Sequence, residues 1–95
     1  MVNQLYMVIE HYKDTAAVYR RFRERGRMAP AGIHYVSSWV EENLKRCFQV
    51  METADRHLLE EWMSHWHDLV DFEVYPVITS SQASEKVGAG AAELA

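Results

Sequence analysis

The sequence predicts a small α+β domain with the element order strand, helix, strand, strand, helix, strand. It is read as a four-stranded antiparallel sheet in the order 4-1-3-2 with two helices on one face. Three observations predict this. Four stretches are rich in β-branched and aromatic residues, and two stretches between them repeat their apolar residues every three or four positions. Each helical stretch carries a single apolar stripe that one sheet face can cover. Finally, 95 residues, 48% of them hydrophobic, suffice for one domain with a modest core.

The first strand runs from Gln4 to Tyr12, a stretch without Gly or Pro. Lys13-Asp14-Thr15 ends it, and Asp14 or Thr15 can cap the following helix by accepting a free backbone N–H. In that helix Thr15, Val18, Tyr19 and Phe22 form one stripe, while Arg20, Arg21, Arg23, Glu24 and Arg27 take much of the remaining surface. The helix weakens at Gly26 and must stop before Pro30, because the residue preceding a proline avoids the helical region. Ile33 to Glu41 and Lys45 to Thr53 read as an antiparallel hairpin joined through Glu42-Asn43. A second helix begins near Asp55, with Leu58, Leu59, Trp62, Trp66 and Leu69 on its stripe. Val70 to Thr79 alternates as a fourth strand, and Pro76 favours a sheet edge. Residues 1–79 thus form the domain. Residues 80–95, with no aromatic side chain, read as a flexible tail with at most a nascent Ala-rich turn.

Composition removes several function classes. The net charge of −4 works against non-specific nucleic-acid binding, which depends on neutralising phosphates. A lone cysteine, Cys47, excludes an intrachain disulfide framework and a multi-cysteine zinc site. No apolar run reaches the ~20 residues that span a bilayer, and no basic segment precedes an apolar stretch as in a signal peptide. The expectation is a cytoplasmic protein of bacterial type, bound to neither membrane nor nucleic acid. The sheet face away from the helices is assigned Tyr6, Val8, Cys47, Gln49, Met51 and Tyr75, too apolar to meet water comfortably. Two such sheets packed face to face would hide it, so a homodimer closing an α+β barrel is expected.

The segments LYMVIEHYKD at 5–14, VYRRFRERGRMAP at 18–30, RCFQVMET at 46–53 and WHDLVDFEVYPVITS at 66–80 resemble a family of short bacterial proteins classed as a domain of unknown function. That family is similar to the dimeric α+β barrel, ferredoxin-like superfamily, and the resemblance spans about residues 4–80. It implies a homodimer with a pocket between sheet and helices or across the barrel. The superfamily includes cofactor-free monooxygenases, muconolactone isomerase-like proteins, haem-dependent enzymes and ligand-sensing domains, so fold alone leaves the activity open. The resemblance supplies no catalytic residues.

Candidate residues come from the strands. Glu10 and His11 are adjacent at the end of strand one and point to opposite faces, so only one lines a given pocket. Either can act as an acid or base where partial burial tunes it; the plain alternative is a solvated strand end. Tyr6, Glu73 and Tyr75 are grouped with Glu10 as ligand-orienting residues, or as part of a tyrosine-rich interface. Gln49 shares a face with Cys47, and Cys47 has no cationic neighbour on its own face to activate it. The hairpin register is open: a four-residue loop puts His34, Val36 and Ser38 on the Cys47 face, and a slip of one residue substitutes Tyr35, Ser37 and Trp39. Trp39 is accordingly a pocket wall or a core residue. His65 and His67 lie about 200° apart around a helix and cannot grip one ion together. Trp62 and Trp66 read as core, the arginine run as a solvated helix face, and no cofactor or metal is expected.

The strand order also fits an RNA-recognition fold. Strand three, Lys-Arg-Cys-Phe-Gln-Val-Met-Glu, has one aromatic and no glycine where that module's signature has several of each, and the chain is acidic, so that reading is rejected. The functional expectation is a homodimer that binds a small, partly apolar metabolite in a sheet-face pocket, with cofactor-independent monooxygenase- or isomerase-like chemistry within its range. The alternative is a non-catalytic interaction subunit whose apolar sheet face serves only dimerisation.

Overall fold

The strands and helices follow the capping and patterning signals closely. The computed structural model describes residues 3–88. Its elements are β1 (Gln4–Tyr12), α1 (Thr15–Arg25), β2 (Ile33–Val40), β3 (Arg46–Thr53), α2 (Arg56–Ser64), β4 (Val70–Val77) and α3 (Ser80–Val87). Asp14 caps α1 by accepting from Ala17 N at 3.1 Å, and Asp55 caps α2 by accepting from His57 N at 2.9 Å. Gly26, with φ of 70°, ends α1 four residues short of Pro30.

The four strands form one antiparallel sheet in the order β2-β3-β1-β4, which is the expected 4-1-3-2 order. Among the described residues, no helix is long and apolar enough to cross a membrane. One element exceeds expectation. Residues 80–87, expected to be part of a tail, form α3, because Thr79 and Gln82 make a reciprocal capping box: Thr79 Oγ1 accepts from Gln82 N at 3.1 Å and Gln82 Oε1 accepts from Thr79 N at 2.9 Å. Residues 89–95 lie outside the described part of the chain.

The core lies between the sheet and the two central helical segments. Tyr6 and Val8 from β1, Met51 from β3, Val18 from α1, Leu59 and Trp62 from α2, and Trp66 and Val70 beyond it are all buried. Burial alternates strictly along β3, with Cys47, Gln49, Met51 and Thr53 buried. Cross-strand partners Tyr6↔Met51, Val8↔Gln49 and Glu10↔Cys47 share that side.

This reverses the expected face assignment. Tyr6, Val8, Cys47, Gln49 and Met51 face the helices, and of the six residues assigned to the open side only Tyr75 is there. The open side carries Met7, Ile9, Phe48 and Val50, which are half-buried on the central strands, together with exposed Trp39 and Tyr75. Both sides of β1 and β3 are apolar, so alternation alone could not say which one the helices cover.

A further correction concerns β2. Its pairing with β3 shifts between Tyr35 and Ser37, a β-bulge with Val36 as the extra residue. Before the bulge Tyr35 pairs with Met51, and after it Ser38 pairs with Gln49 and Val40 with Cys47. Tyr35 and Ser38 therefore both reach the helix side, where their hydroxyls hydrogen-bond at 2.8 Å. Neither of the two uniform registers occurs. Trp39, pairing with Phe48, stands on the open side at 60% exposure and is neither pocket wall nor core.

Candidate functional site

A cavity of about 150 Å³ lies between the sheet and the helices. Its floor is the end of the helix-facing side of the sheet: Glu10 and Tyr12 from β1, Cys47 and Gln49 from β3, Ser38 and Val40 from β2. Val18, Tyr19 and Phe22 of α1 form one wall, and Trp62 and Trp66 the other. The α1 stripe explains the opening. Val18 is buried against the sheet, but Tyr19 and Phe22 remain 37% and 40% exposed and stand at the rim instead of filling the gap. Tyr19 meets Tyr12 edge to face with ring centroids 6.1 Å apart.

The remaining lining residue, Arg27, comes from the loop after α1. The Nε1–H groups of Trp62 and Trp66 both donate to its carbonyl oxygen, at 3.0 and 3.1 Å. The two tryptophans, four residues apart in sequence, thereby hold the loop that carries the guanidinium. Arg27 Nε donates to Gln49 Oε1 at 3.3 Å, and the guanidinium carbon sits 3.9 Å over the Tyr35 ring and 5.2 Å from the Phe22 ring centroid. Among the described residues no carboxylate makes an ion pair with Arg27.

The electrostatics of this cavity are unusual for carboxyl and thiol groups. Burial raises the Glu10 pKa from 4.5 to about 7, against the opposing pull of the Arg27 charge and weaker hydrogen-bonding from Tyr12 and Cys47. Burial also pushes the Cys47 thiol up to about 11, with the Glu10 charge adding to the effect. The Tyr12 hydroxyl is held well above the usual phenol range, by burial first and then by Cys47 and Glu10. At neutral pH the cavity thus holds a protonated thiol, a protonated phenol, a fixed cation and a carboxyl that titrates near neutrality. Such a carboxyl can both give and accept a proton.

The expected grouping of Glu10 with Tyr6, Glu73 and Tyr75 does not form. Glu10 and Gln49 meet in the cavity, and Tyr6, although on the same side, is a core residue under Arg56, whose guanidinium lies 5.6 Å from its ring. His11, Glu73 and Tyr75 lie together on the open side of the sheet. There His11 Nε2 and Glu73 Oε2 are 2.6 Å apart and Tyr75 Oη donates to Glu73 Oε1 at 2.9 Å. These hydrogen bonds, His11 first, hold the Glu73 carboxyl below its ordinary range. Glu10 and His11 do point to opposite sides, as strand geometry requires.

Arg27, Tyr12 and Ser38 were missed by sequence reasoning. A signal for Arg27 was present: it follows Gly26, the helix stop, and so never belonged to the solvated helix face with Arg20 and Arg23. Ser38 was on the Cys47 face in one of the two hairpin registers, the four-residue loop, and the pairing of Ser38 with Gln49 and of Val40 with Cys47 follows that register between the bulge and the loop.

Among solved structures the chain is similar to a crystal structure of protein SO0527 from Shewanella oneidensis, with 18% identity, 79% of this chain and 89% of that one covered, and a TM-score of 0.49. Comparison with curated proteins finds no match. Residues 4–91 match the family described as a domain of unknown function, DUF3303, and the chain belongs to that family.

Proposed function

We propose that the chain binds a small, partly apolar metabolite in the cavity between sheet and helices, with Glu10 as the group that exchanges a proton with it. The observation that carries this reading is a carboxyl with a pKa of about 7 at the bottom of an aromatic-walled cavity that also holds a fixed cation. Gln49 beside it supplies hydrogen-bonding groups, and no resident cofactor is needed for proton transfer between Glu10 and a bound carbon or oxygen acid. The metabolite site lies on the helix side of the sheet, so the open side is free for association. Its half-buried Met7, Ile9, Phe48 and Val50 support a homodimer formed by two sheets face to face.

A second reading rests on that open side alone: an interaction subunit in which association is the whole function. Native mass spectrometry of gently purified protein separates the two. A dimer carrying a small-molecule adduct supports the metabolite reading, and displacement of that adduct by Glu10→Gln would assign it to the cavity. A dimer that carries no adduct and takes up no small aromatic or apolar compound favours the interaction subunit.

A further inference from the structure

We propose that the ligand of the cavity is a flat monocarboxylate with a single benzene-sized ring as its body, its carboxylate held between Arg27 and Gln49. This rests on the reading of the cavity as a metabolite site and names the chemistry that the site selects. Gln49 lines the cavity at 3% exposure, and while its Oε1 accepts from Arg27 Nε, its Nε2 has no hydrogen-bond partner. A buried amide donor without an acceptor is costly, so a ligand that brings an acceptor removes a defect already present in the protein. Gln49 lines the cavity, and the last torsion of a glutamine is broad, so its amide has room to turn toward an acceptor that enters there.

Arg27 supplies the charge. Its Nε is committed to Gln49, which leaves the terminal guanidinium nitrogens as donors, and among the described residues no carboxylate neutralises it by ion pairing. A guanidinium and an amide side by side offer planar donors to two oxygens of one planar group, the geometry of a carboxylate. Size sets the rest. A cavity of about 150 Å³ matches the volume of an apolar cavity that takes up benzene, and Phe22, Val40, Trp62 and Trp66 provide the walls for a ring.

Glu10 is the group that an anion must tolerate. The groups facing it are Arg27, Tyr12 and Cys47, of which only Arg27 is charged at neutral pH. With its pKa raised to about 7, Glu10 meets the incoming anion by taking up a proton and becoming a neutral donor. Binding is therefore accompanied by proton uptake and weakens as pH rises through about 7.

The test is a titration of the full chain with benzoate, its neutral isostere benzamide, and inorganic phosphate, followed by ligand-observed NMR. Benzoate is expected to bind at least about tenfold more tightly than benzamide at pH 6, as hydrogen bonds to a charged group imply. Arg27→Met is expected to abolish that preference, and Gln49→Leu to weaken benzoate and benzamide together, with the cooperative melting transition of the parent retained in both variants, a pattern that loss of folding would not produce. Equal binding of benzoate and benzamide overturns the carboxylate inference and leaves the metabolite site standing. Phosphate displacing benzoate with higher affinity also overturns it, in favour of a tetrahedral anion. Binding of neither ring compound overturns the inference together with the metabolite reading beneath it.

Discussion

Trp66, just past the end of α2, donates its indole N–H to the carbonyl oxygen of Arg27 at 3.1 Å, and so ties the cavity's cation to the helix layer behind it. Trp62 makes the same bond from one turn earlier. Trp66→Phe removes one of the two donors and part of a buried ring, while the carbonyl keeps its other partner. Urea unfolding should show a loss of about 1–3 kcal/mol. An unchanged midpoint would mean that Trp62 alone fixes the loop.

Glu10 gives the protein a pH dependence of defined sign. Its folded pKa, about 7, lies above the ordinary 4.5, so the folded state holds the proton more tightly than the unfolded chain does. The associated stability is fully present below pH 4.5 and is lost as pH rises through about 7. At ~1.4 kcal/mol per pH unit across that window, the amount lost is roughly 3 kcal/mol. Glu10→Gln cannot ionise, so its melting temperature should exceed that of the parent at pH 8 and approach it at pH 5. A parent and variant that keep a constant difference from pH 5 to pH 8 would contradict the raised pKa.

Cys47 should be a slow thiol. With burial holding its pKa at about 11 against an ordinary 9.0, the thiolate fraction at pH 8 falls about a hundredfold, and steric cover slows reaction further. Labelling with a disulfide reagent is expected to be at least about a hundredfold slower for the native protein than in denaturant. Rapid native labelling would show that the cavity opens far more than its walls imply.

The open sheet side can be tested separately from the cavity. Ile9→Asp places a charge at the centre of the half-buried patch, on β1 between Phe48 of β3 and Glu73 of β4. If two sheets meet there, light scattering after size exclusion should show the dimer of the parent replaced by monomer, because an unpaired charge in such an interface costs several kcal/mol. A variant that keeps the parent's dimeric mass would place the interface elsewhere.

The sequence by itself determined the element order, a cap for α1 at Asp14 or Thr15, the start of α2 near Asp55, the stop at Gly26, and a strand order that follows from short connections and right-handed crossovers. Those are decided by local patterns of a few residues. Even the α3 capping box was legible as Thr79-Ser80-Ser81-Gln82, although the composition of the following segment masked it. Glu10 and Gln49 were legible as candidates and their opposition to His11 followed from strand alternation. Tertiary structure decided which side of the sheet became the site. Leu5, Met7 and Ile9 alternate with Tyr6 and Val8 on β1, and nothing local distinguishes two apolar faces. The choice depends on how the helix stripes with Leu59 and Trp62 pack. Tertiary structure also decided the one-residue bulge at Val36, which lets Tyr35 and Ser38 share the helix side while Trp39 stands on the open side, because register is a property of two paired strands and of neither strand alone.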